Sequence, residues 1–498
     1  MVSNKAVAGF SPLISVDARV GKPLHKQIYD AYRALIVDGS LRAGASIPST
    51  RSLAVDLGIS RISVLNAYAQ LTAEGYFEGR VGSGTFVSLS LPEQLTSCAP
   101  LQGAPTSATI SGPRPLSRRG GLLSASSASA PWRHGRGAFT IGQLAFDQFP
   151  FRVWSTLVAR HCRNIAAKEL NYSDPLGIKE FREAIAGYLR TARAVHCDAQ
   201  QIMVVSGSQQ ALDLAARVLF DPGDEVWIED PCYELMRQAL LLAGCALVPV
   251  PVDAEGLHVA TGVRRCPRAR AAVVTPSHQY PLGVTMSAPR RLQLLEWAQR
   301  AGAWIVEDDY DSEYRYENMP IASLQGLDRN ARVIYIGTFS KTLFPSLRLG
   351  YIVIPPDLVD RFTAVRRAMD IFPPSFHQSV MADFINEGHL SRHIRKTRVV
   401  YGERRDALVE ALQTEFNSFF EILGREAGLY LTVTLPKGLR DRKIAELAAA
   451  QRLWLWPLSP CYADTVAKQG FILGFGGTQA REMRAAVRRL LALIPFAG

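Results

Sequence analysis

A single lysine, Lys341, stands among hydroxyl side chains near the middle of this chain. It follows a β-branched run, residues 333–336, that predicts a buried strand. Thr338 and Ser340 precede the lysine, and Arg348 follows it. A lysine amine in such a loop is suited to forming an imine with an aldehyde cofactor, whose phosphate the hydroxyls and the arginine would hold. A lysine on a solvated surface loop is the other interpretation, and this stretch alone does not separate the two.

Four earlier segments each pass from an apolar run into a polar turn. They read QIMVVSGSQQ, DEVWIEDPCY, AAVVTPSHQY and AWIVEDDYDS. The first turn carries Ser208 and Gln209 at a predicted helix start, whose free backbone N–H groups attract an anion such as a phosphate. The second leads to Tyr233, which could stack on a heteroaromatic ring or pack in the core. In the fourth, Asp308 and Tyr310 alternate onto one face and could hold a nitrogen and an oxygen of the same ring.

From residue 139 onward, apolar strands alternate with helical stretches. This alternation is typical of an α/β fold with a largely parallel sheet. Such sheets place their ligands at the carboxyl ends of the strands, which is where these segments carry their polar residues. We therefore expect Lys341 and the residues of the four earlier turns to converge on one site.

The composition of the chain limits its class. At 498 residues it is long enough for two or three domains, and 48% hydrophobic with 20% charged residues is typical of a soluble globular protein. The N-terminus lacks the pattern of a secretory signal, and the most apolar stretch, residues 239–252, is too short and too rich in proline for a membrane span. Seven scattered cysteines without a CxxC pair predict neither a disulfide framework nor a metal site, and they fit the cytoplasm.

The first 90 residues predict three short helices and a hairpin. Apolar residues recur at helical spacing over residues 24–38, Ser49 and Ser60 can cap two further helices, and an alternating hairpin follows residue 75. Two short helices joined by a glycine turn describe a helix-turn-helix, and the hairpin has the glycine-rich tip of a wing. This region is also basic, with nine Lys or Arg against six Asp or Glu. DNA binding and a helical bundle without a nucleic-acid partner both stay open on the pattern alone.

The segment over residues 39–87 resembles the winged helix-turn-helix of the GntR-type bacterial regulators. The glycine and proline punctuation, the PSTR element, the SR at the recognition helix and the GSGTFV wing follow one another in the same order. The resemblance implies a partner, double-stranded operator DNA. It assigns the DNA contacts to Arg51, Ser60, Arg61, Ser63 and Gly82.

Residues 91–138 differ in composition from both flanking regions. They are rich in Ser, Ala, Gly and Pro and poor in large apolar side chains, so they cannot offset the entropy of ordering, and we predict a mostly disordered tether. Its arginines could add nonspecific DNA affinity or simply keep it soluble. The predicted organisation is a DNA-binding domain over residues 1–90, a linker over 91–138 and a larger domain over 139–498.

The larger domain resembles, through the ordered motifs quoted above, the aminotransferase-like, type I fold of pyridoxal-phosphate enzymes. The resemblance implies the cofactor pyridoxal 5'-phosphate, held as an imine by Lys341, with Asp308 on the ring nitrogen and Tyr310 on the ring oxygen. Tyr172, in LNYSDPLG, would reach the phosphate site of a neighbouring subunit, which implies a homodimer. The remaining assignments are Tyr233 against the ring face and, around the phosphate, Ser208, Gln209, Thr338, Ser340 and Arg348.

A GntR-type head, a tether and a body with the wording TPSHQYPLG and EDDYDSEYRY together resemble the MocR subfamily of transcription regulators. Two positions depart from the pattern of ordinary aminotransferases. Tyr280 stands where an asparagine usually supports the ring oxygen. Ile472, in GFILGF, stands where an arginine commonly receives the substrate carboxylate. Both departures put turnover of an ordinary amino acid in doubt.

The sequence therefore predicts a cytoplasmic bacterial regulator that depends on pyridoxal phosphate and responds to a small amino compound or a B6 vitamer at Lys341, with no membrane partner. An active aminotransferase carrying a DNA-binding head is the alternative. A third hypothesis is a degenerate regulator that no longer binds the cofactor. The presence of Asp308, Tyr310 and Arg348 together with the lysine argues against it.

Overall fold

The computed structural model describes residues 14–80, 83–91, 115–122, 130–133, 135–316, 322–416, 420–464 and 467–494. The chain divides into two compact units, residues 1–115 and 116–498. Most of the predicted linker, residues 92–114 and 123–129, lies outside the described residues, and so does Gly82.

The small unit consists of three helices and a three-stranded antiparallel sheet. The helices are α1 (Leu24–Val37), α2 (Thr50–Asp56) and α3 (Arg61–Ala73), and the strands are β1 (Ser46–Ile47), β2 (Phe77–Arg80) and β3 (Gly84–Val87). The strands pair in the order β1-β3-β2, so that β2 and β3 form the predicted hairpin. Helices and hairpin follow one another as a winged helix-turn-helix requires.

Serine caps and one buried helix face set this arrangement. The hydroxyl of Ser49 accepts a hydrogen bond from the backbone N–H of Ser52 at 3.1 Å, and the hydroxyl of Ser60 accepts one from Ile62 at 3.3 Å. Both satisfy N–H groups that the start of a helix leaves without a partner. Helix α3 buries the face that its spacing predicted, namely Val64, Ala67, Tyr68 and Leu71.

The large unit is built on an eight-stranded sheet. Its strands are β4 (Ile202–Val205), β5 (Glu225–Asp230), β6 (Ala246–Asp253), β7 (Gly256–Leu257), β8 (Ala271–Val274), β9 (Trp304–Asp309), β10 (Val333–Thr338) and β11 (Gly350–Val353). They pair in the order β4-β11-β10-β9-β8-β5-β6-β7. The five strands from β10 to β6 run parallel, whereas β11 is antiparallel to both β10 and β4. The predicted α/β fold with a largely parallel sheet is confirmed.

Apolar clusters lie on both faces of this sheet. In β4, Ile202 and Val204 belong to one cluster, and Met203 and Val205 belong to another. Successive side chains of a strand point to opposite faces, so a strand covered on both sides is apolar throughout. The helices of the unit are α4 (Phe151–Asn164), α5 (Lys179–Arg193), α6 (Ser208–Leu219), α7 (Glu234–Ala243), α8 (Val259–Arg265), α9 (Ala288–Ala301), α10 (Leu324–Leu327), α11 (Val359–Asp370), α12 (Phe376–Asn386), α13 (His389–Phe416), α14 (Asp441–Ala450) and α15 (Ala480–Leu491).

A second, four-stranded antiparallel sheet follows in the last part of the chain. Its strands are β12 (Ile422–Leu423), β13 (Tyr430–Thr434), β14 (Trp456–Pro457) and β15 (Gly470–Gly474), in the order β12-β13-β15-β14. One face of this sheet packs in an apolar cluster with α13 and α15, to which Leu408, Leu431, Leu473 and Val487 belong. The opposite face turns Tyr430 and Ile472 towards a smaller aromatic cluster.

The described end of the predicted linker packs on the large unit. Arg133 forms an ion pair with Glu234, and the indole N–H of Trp454 donates to the backbone carbonyl of Arg136 at 2.9 Å. Phe139 is fully buried. Across the part of the chain that the structure describes, no helix combines the length and the apolar character needed to span a membrane.

Candidate functional site

The carboxyl ends of β4, β9 and β10 meet around one cavity of about 490 Å³. Nine of the ten residues that the sequence assigned to a cofactor line it: Ser208, Gln209, Tyr233, Asp308, Tyr310, Thr338, Ser340, Lys341 and Arg348. They come from segments up to 140 residues apart, and the parallel strands bring them to the same edge of the sheet. The expected convergence is therefore observed.

One end of the cavity is built for an anion. Helix α6 begins there at Ser208, so the first N–H groups of the helix lie at the cavity lining. Thr338 donates a hydrogen bond from its hydroxyl to the hydroxyl of Ser340 at 3.0 Å, and Thr338 accepts one from the backbone N–H of Ser340 at 3.1 Å. Arg348 lies opposite, in a left-handed backbone conformation with φ of 52°. Hydroxyls, a helix start and a guanidinium form a phosphate-type site.

The turn at Gly207 is tight for a larger residue. Its φ is +117°, a conformation that side chains with a Cβ rarely adopt. A Cβ built at this position would lie 3.3 Å from Nη1 of Arg348. The glycine thus lets the backbone approach the guanidinium closely, which is the property a cradle for a phosphate needs.

Asp308 also lines the cavity, and one oxygen of its carboxylate is buried. Its Oδ1 has no hydrogen-bond partner within the described part of the chain. Burial raises the pKa of Asp308 to about 7, the hydroxyl of Ser208 acts against this rise, and the negative charge of Asp309 adds to it. A buried carboxylate oxygen without a donor fits a ligand that brings a cationic N–H group.

Lys341 points its amine into the same cavity. Burial lowers the pKa of this amine below its ordinary value, and the charges of Asp311 and Asp308 act against that shift. A Cβ built at Gly142 would lie 3.4 Å from the lysine Nζ, so the amine runs close to this backbone. A desolvated lysine with a depressed pKa has the neutral amine that nucleophilic attack on a carbonyl requires.

Around Tyr310 lies a network to which the sequence assigned no role. The phenol of Tyr310 donates to the backbone carbonyl of His278 at 2.8 Å and lies 2.9 Å from the hydroxyl of Tyr430. Nδ1 of His278 lies 3.0 Å from Oδ2 of Asp311. The only signal in the sequence was that two separate loops, TPSHQYPLG and EDDYDSEYRY, are rich in polar residues. Nothing in the sequence indicated that these two loops contact each other.

The acidic run of β9 divides between two faces, as the strand alternation predicted. Asp308 faces the cavity, whereas Asp309 pairs with the buried guanidinium of Arg193 at 2.6 Å. Glu307 accepts hydrogen bonds from the backbone N–H groups of Leu324 at 2.9 Å and Gln325 at 3.0 Å. The two acids that face away from the cavity stabilise the fold, and Asp309 acts on the site only through its charge on Asp308.

An aromatic and apolar wall closes the cavity on the side of the second sheet. Tyr233 meets Tyr280 edge to face, with ring centroids 5.3 Å apart, and Tyr280 meets Tyr430 in the same way at 5.4 Å. Ile472 on β15 is fully buried behind these rings. The position where the family resemblance leads one to expect an arginine therefore contributes only apolar surface.

Tyr172 is the predicted site residue that the structure does not bring to the cavity. Its side chain is 77% exposed, and its ring lies against Phe372 with centroids 5.7 Å apart. Within the described residues, no cluster of His, Cys, Asp and Glu could hold a metal ion.

The small unit presents the predicted DNA contacts around its second and third helices. Arg51, Ser60 and Arg61 are exposed, and Ser63 is half-buried. The guanidinium of Arg61 donates to the hydroxyl of Thr50 at 3.4 Å, which links the starts of α2 and α3. Gly82, the predicted wing contact, lies outside the described residues.

Comparison with known families separates the same two regions of the chain. Residues 24–87 match the family of bacterial regulatory proteins called gntR. Residues 138–490 match aminotransferases of class I and II. The order of the two matches is the order of the two sites described above.

Relatives resemble the chain over nearly its whole length. It is 40% identical to the probable rhizopine catabolism regulatory protein MocR of Rhizobium meliloti, over 96% of this chain and 95% of that protein. It is 30% identical to the HTH-type pyridoxine biosynthesis transcriptional regulator PdxR of Corynebacterium glutamicum, over 92% and 93%. Among solved structures, it is similar to a kynurenine aminotransferase of Pyrococcus horikoshii in complex with PMP, with a TM-score of 0.70 and 29% identity over 76% of this chain and 96% of that one. The chain belongs to the MocR subfamily of GntR-type bacterial transcription regulators, in which a winged helix-turn-helix precedes an aminotransferase-like domain.

Proposed function

We propose that the large unit binds pyridoxal 5'-phosphate and that an amino compound or a B6 vitamer engaging Lys341 changes how the winged helix-turn-helix binds operator DNA. One observation carries this proposal: a buried lysine amine, the unsatisfied Oδ1 of Asp308 and the glycine cradle at Arg348 line a single cavity in a chain of a transcription-regulator family. The PMP held by the similar Pyrococcus horikoshii enzyme supports the choice of cofactor.

The nine predicted residues of the cavity each have a part in holding this cofactor. Asp308 would accept a hydrogen bond from the protonated ring nitrogen, which would supply the partner that its Oδ1 lacks among the described residues. Tyr310 faces the ring oxygen, and Tyr233 covers the ring. When bound, the cofactor supplies an aldehyde that combines reversibly with primary amines. The amine of Lys341 is the internal partner, and its lowered pKa favours the neutral form that combines with an aldehyde. The phosphate is held by Ser208, Gln209, Thr338, Ser340 and Arg348.

The proposal extends to assembly and to DNA. A homodimer would place Tyr172 at the phosphate of the neighbouring subunit, and the exposure of this tyrosine supports that assignment. Two heads related by a two-fold axis would read two half-sites. The contacts would come from Arg51, Ser60, Arg61, Ser63 and Gly82. We place residues 1–90 in the DNA-binding domain, 91–138 in the linker and 139–498 in the cofactor domain, in the bacterial cytoplasm.

An active aminotransferase with a DNA-binding head is not favoured. Relatives that match more than nine-tenths of the chain, MocR and PdxR among them, are named as regulators. Ile472 is fully buried and apolar, so it offers no charge to a substrate carboxylate. Sustained conversion of an amino acid and a 2-oxo acid would reverse this judgement.

Absorbance of the purified protein tests the cofactor assignment. We expect a band near the visible range after incubation with pyridoxal phosphate, and we expect Lys341→Ala to abolish it. Lys396→Ala is the matched control, because Lys396 is exposed on α13 and lies away from the cavity. A band that survives in Lys341→Ala would refute the assignment.

Footprinting tests the regulatory half of the proposal. Protection of the upstream DNA of the target genes is compared with and without the cofactor and with candidate amines. We expect the pattern to change when the amine is added to the cofactor-bound protein. Identical protection under all conditions, with the absorbance band present, would refute switching while leaving cofactor binding intact.

A further inference from the structure

We infer that the effector is a primary amine without an acid group, whose remaining part carries a ring or hydroxyl groups. This inference rests on the proposed cofactor function and names the chemical class that the cavity accepts. It follows from the distribution of charge in the cavity wall.

The positive charges of the cavity are already committed. Among the described residues that line it, only Lys341 and Arg348 are cationic. Arg348 lies at the phosphate end, where its Nη1 would be 3.3 Å from a Cβ at Gly207. Lys341 is the amine that exchanges with the effector. No cation lining the cavity is left to receive a carboxylate.

The other charged side chains of the cavity lining are acidic. Asp308 and Asp311 both line it, and Asp311 is 2% exposed. The wall opposite is formed by the rings of Tyr233, Tyr280 and Tyr430. Moving a carboxylate from water into such a site costs several kcal/mol unless a cation or donors compensate it. Ring faces and phenol hydroxyls instead suit an apolar ring or a hydroxylated tail.

Arg133 lies outside the cavity lining but contacts Trp456, which belongs to that lining, and its charge is also engaged. It forms an ion pair with Glu234, and both side chains are about 15% exposed. The same guanidinium lies 5.1 Å over the ring of Trp456. An acid that captured Arg133 would leave the half-buried Glu234 without its cation, which is unfavourable. Since Nε of Arg133 has no hydrogen-bond partner in the described part of the chain, it is the residue that would receive an acid if the inference is wrong.

The experiment compares matched sets of amines on the cofactor-bound full chain. Each set contains an amino acid, its amide and its decarboxylated amine: phenylalanine, phenylalaninamide and phenethylamine, and then serine, serinamide and ethanolamine. The readout is the concentration that gives half of the maximal change in the absorbance of the bound cofactor. The amide controls for the bulk of the carboxyl group and lowers the basicity of the amine rather than raising it.

We expect the amide and the decarboxylated amine to act at concentrations at least about tenfold lower than the amino acid, which corresponds to about 1.4 kcal/mol. Equal or better action of the amino acids would overturn the inference. If that action were lost in Arg133→Gln, the acid would be assigned to Arg133. No response to any of the six amines would also overturn it. A missing band before any amine is added refutes the proposed cofactor function instead, so the two failures are distinguishable.

Discussion

His278 and Asp311 form a buried pair beneath the cofactor cavity, with Nδ1 of the imidazole 3.0 Å from Oδ2 of the carboxylate. The two side chains are 1% and 2% exposed. A Cβ at Gly428 would fall 1.9 Å from the imidazole, so the ring is enclosed on that side as well. The pair fixes the loop whose backbone carbonyl accepts the hydrogen bond from Tyr310.

Breaking this pair should destabilise the large unit. We expect Asp311→Leu to lower the free energy of unfolding by about 1–3 kcal/mol, because it leaves a buried imidazole nitrogen without its partner. Thermal unfolding of Asp311→Leu, His278→Leu and the double variant measures the effect. The double variant should lose less than the sum of the single variants, because the second substitution removes a group that the first had already left unpaired. Asp357→Leu, at an exposed aspartate, is the control. Strictly additive losses would argue against the pair.

Gly207 and Gly223 offer a comparison between crowding and backbone strain. Both have positive φ, +117° and +97°, but a Cβ at Gly223 would meet nothing within 4 Å. We expect both glycine-to-alanine variants to lose about 1–2 kcal/mol of stability through strain. Only Gly207→Ala should also bind pyridoxal phosphate more weakly, because its Cβ presses on Arg348. Titration followed by absorbance measures this, and equal affinities in the two variants would contradict the cradle.

The pKa of Asp308 gives the cofactor-free protein a defined pH dependence. The folded-state pKa is raised to about 7, above that of the unfolded chain, so the contribution of this group is fully present below the unfolded pKa and is lost as the pH rises through 7. Between pH 6 and pH 8, the wild type should lose about 1.4 kcal/mol more than Asp308→Asn. Other buried acids are present in both proteins, so the difference reports Asp308 together with its charge coupling to Glu229. Denaturant unfolding at the two pH values checks it, and parallel curves would contradict the shift.

Arg61 is expected to read sequence as well as to bind DNA. It is the first residue of α3, and the first residues of a recognition helix are the ones that contact base edges. Arg61→Ala should weaken binding to operator DNA by about 1–3 kcal/mol and reduce discrimination against random DNA. Arg19→Ala, at an exposed arginine before α1, is the control. Binding titrations at several salt concentrations separate the alternatives. An equal loss on both DNAs, with a salt slope lower by about 1, would assign Arg61 to a phosphate.

Much of the cavity could be predicted because it depends on local patterns. The apolar runs mark the strands, and in a parallel sheet all strand ends lie at one edge, so the residues just after them must meet. Asp308 and Tyr310 share a face because strand side chains alternate. The serine caps of α2 and α3 likewise join residues that lie within four positions of each other in the sequence.

Other features needed the folded chain. His278 and Asp311 are 33 residues apart, and the pairing of Arg133 with Glu234 spans 101 residues. No local periodicity relates such positions, since their distance depends on how loops from different strands pack.

The sequence by itself therefore determined the order of the two domains, the strand ends and the residues that could hold a phosphorylated aldehyde. Only the tertiary structure decided what surrounds them. The second sheet closes the cavity with Tyr430, while Ile472 lies fully buried behind the rings. That docking is fixed by apolar packing between elements far apart in the chain, and it is this packing, more than any motif, that decides which side chains line the cavity.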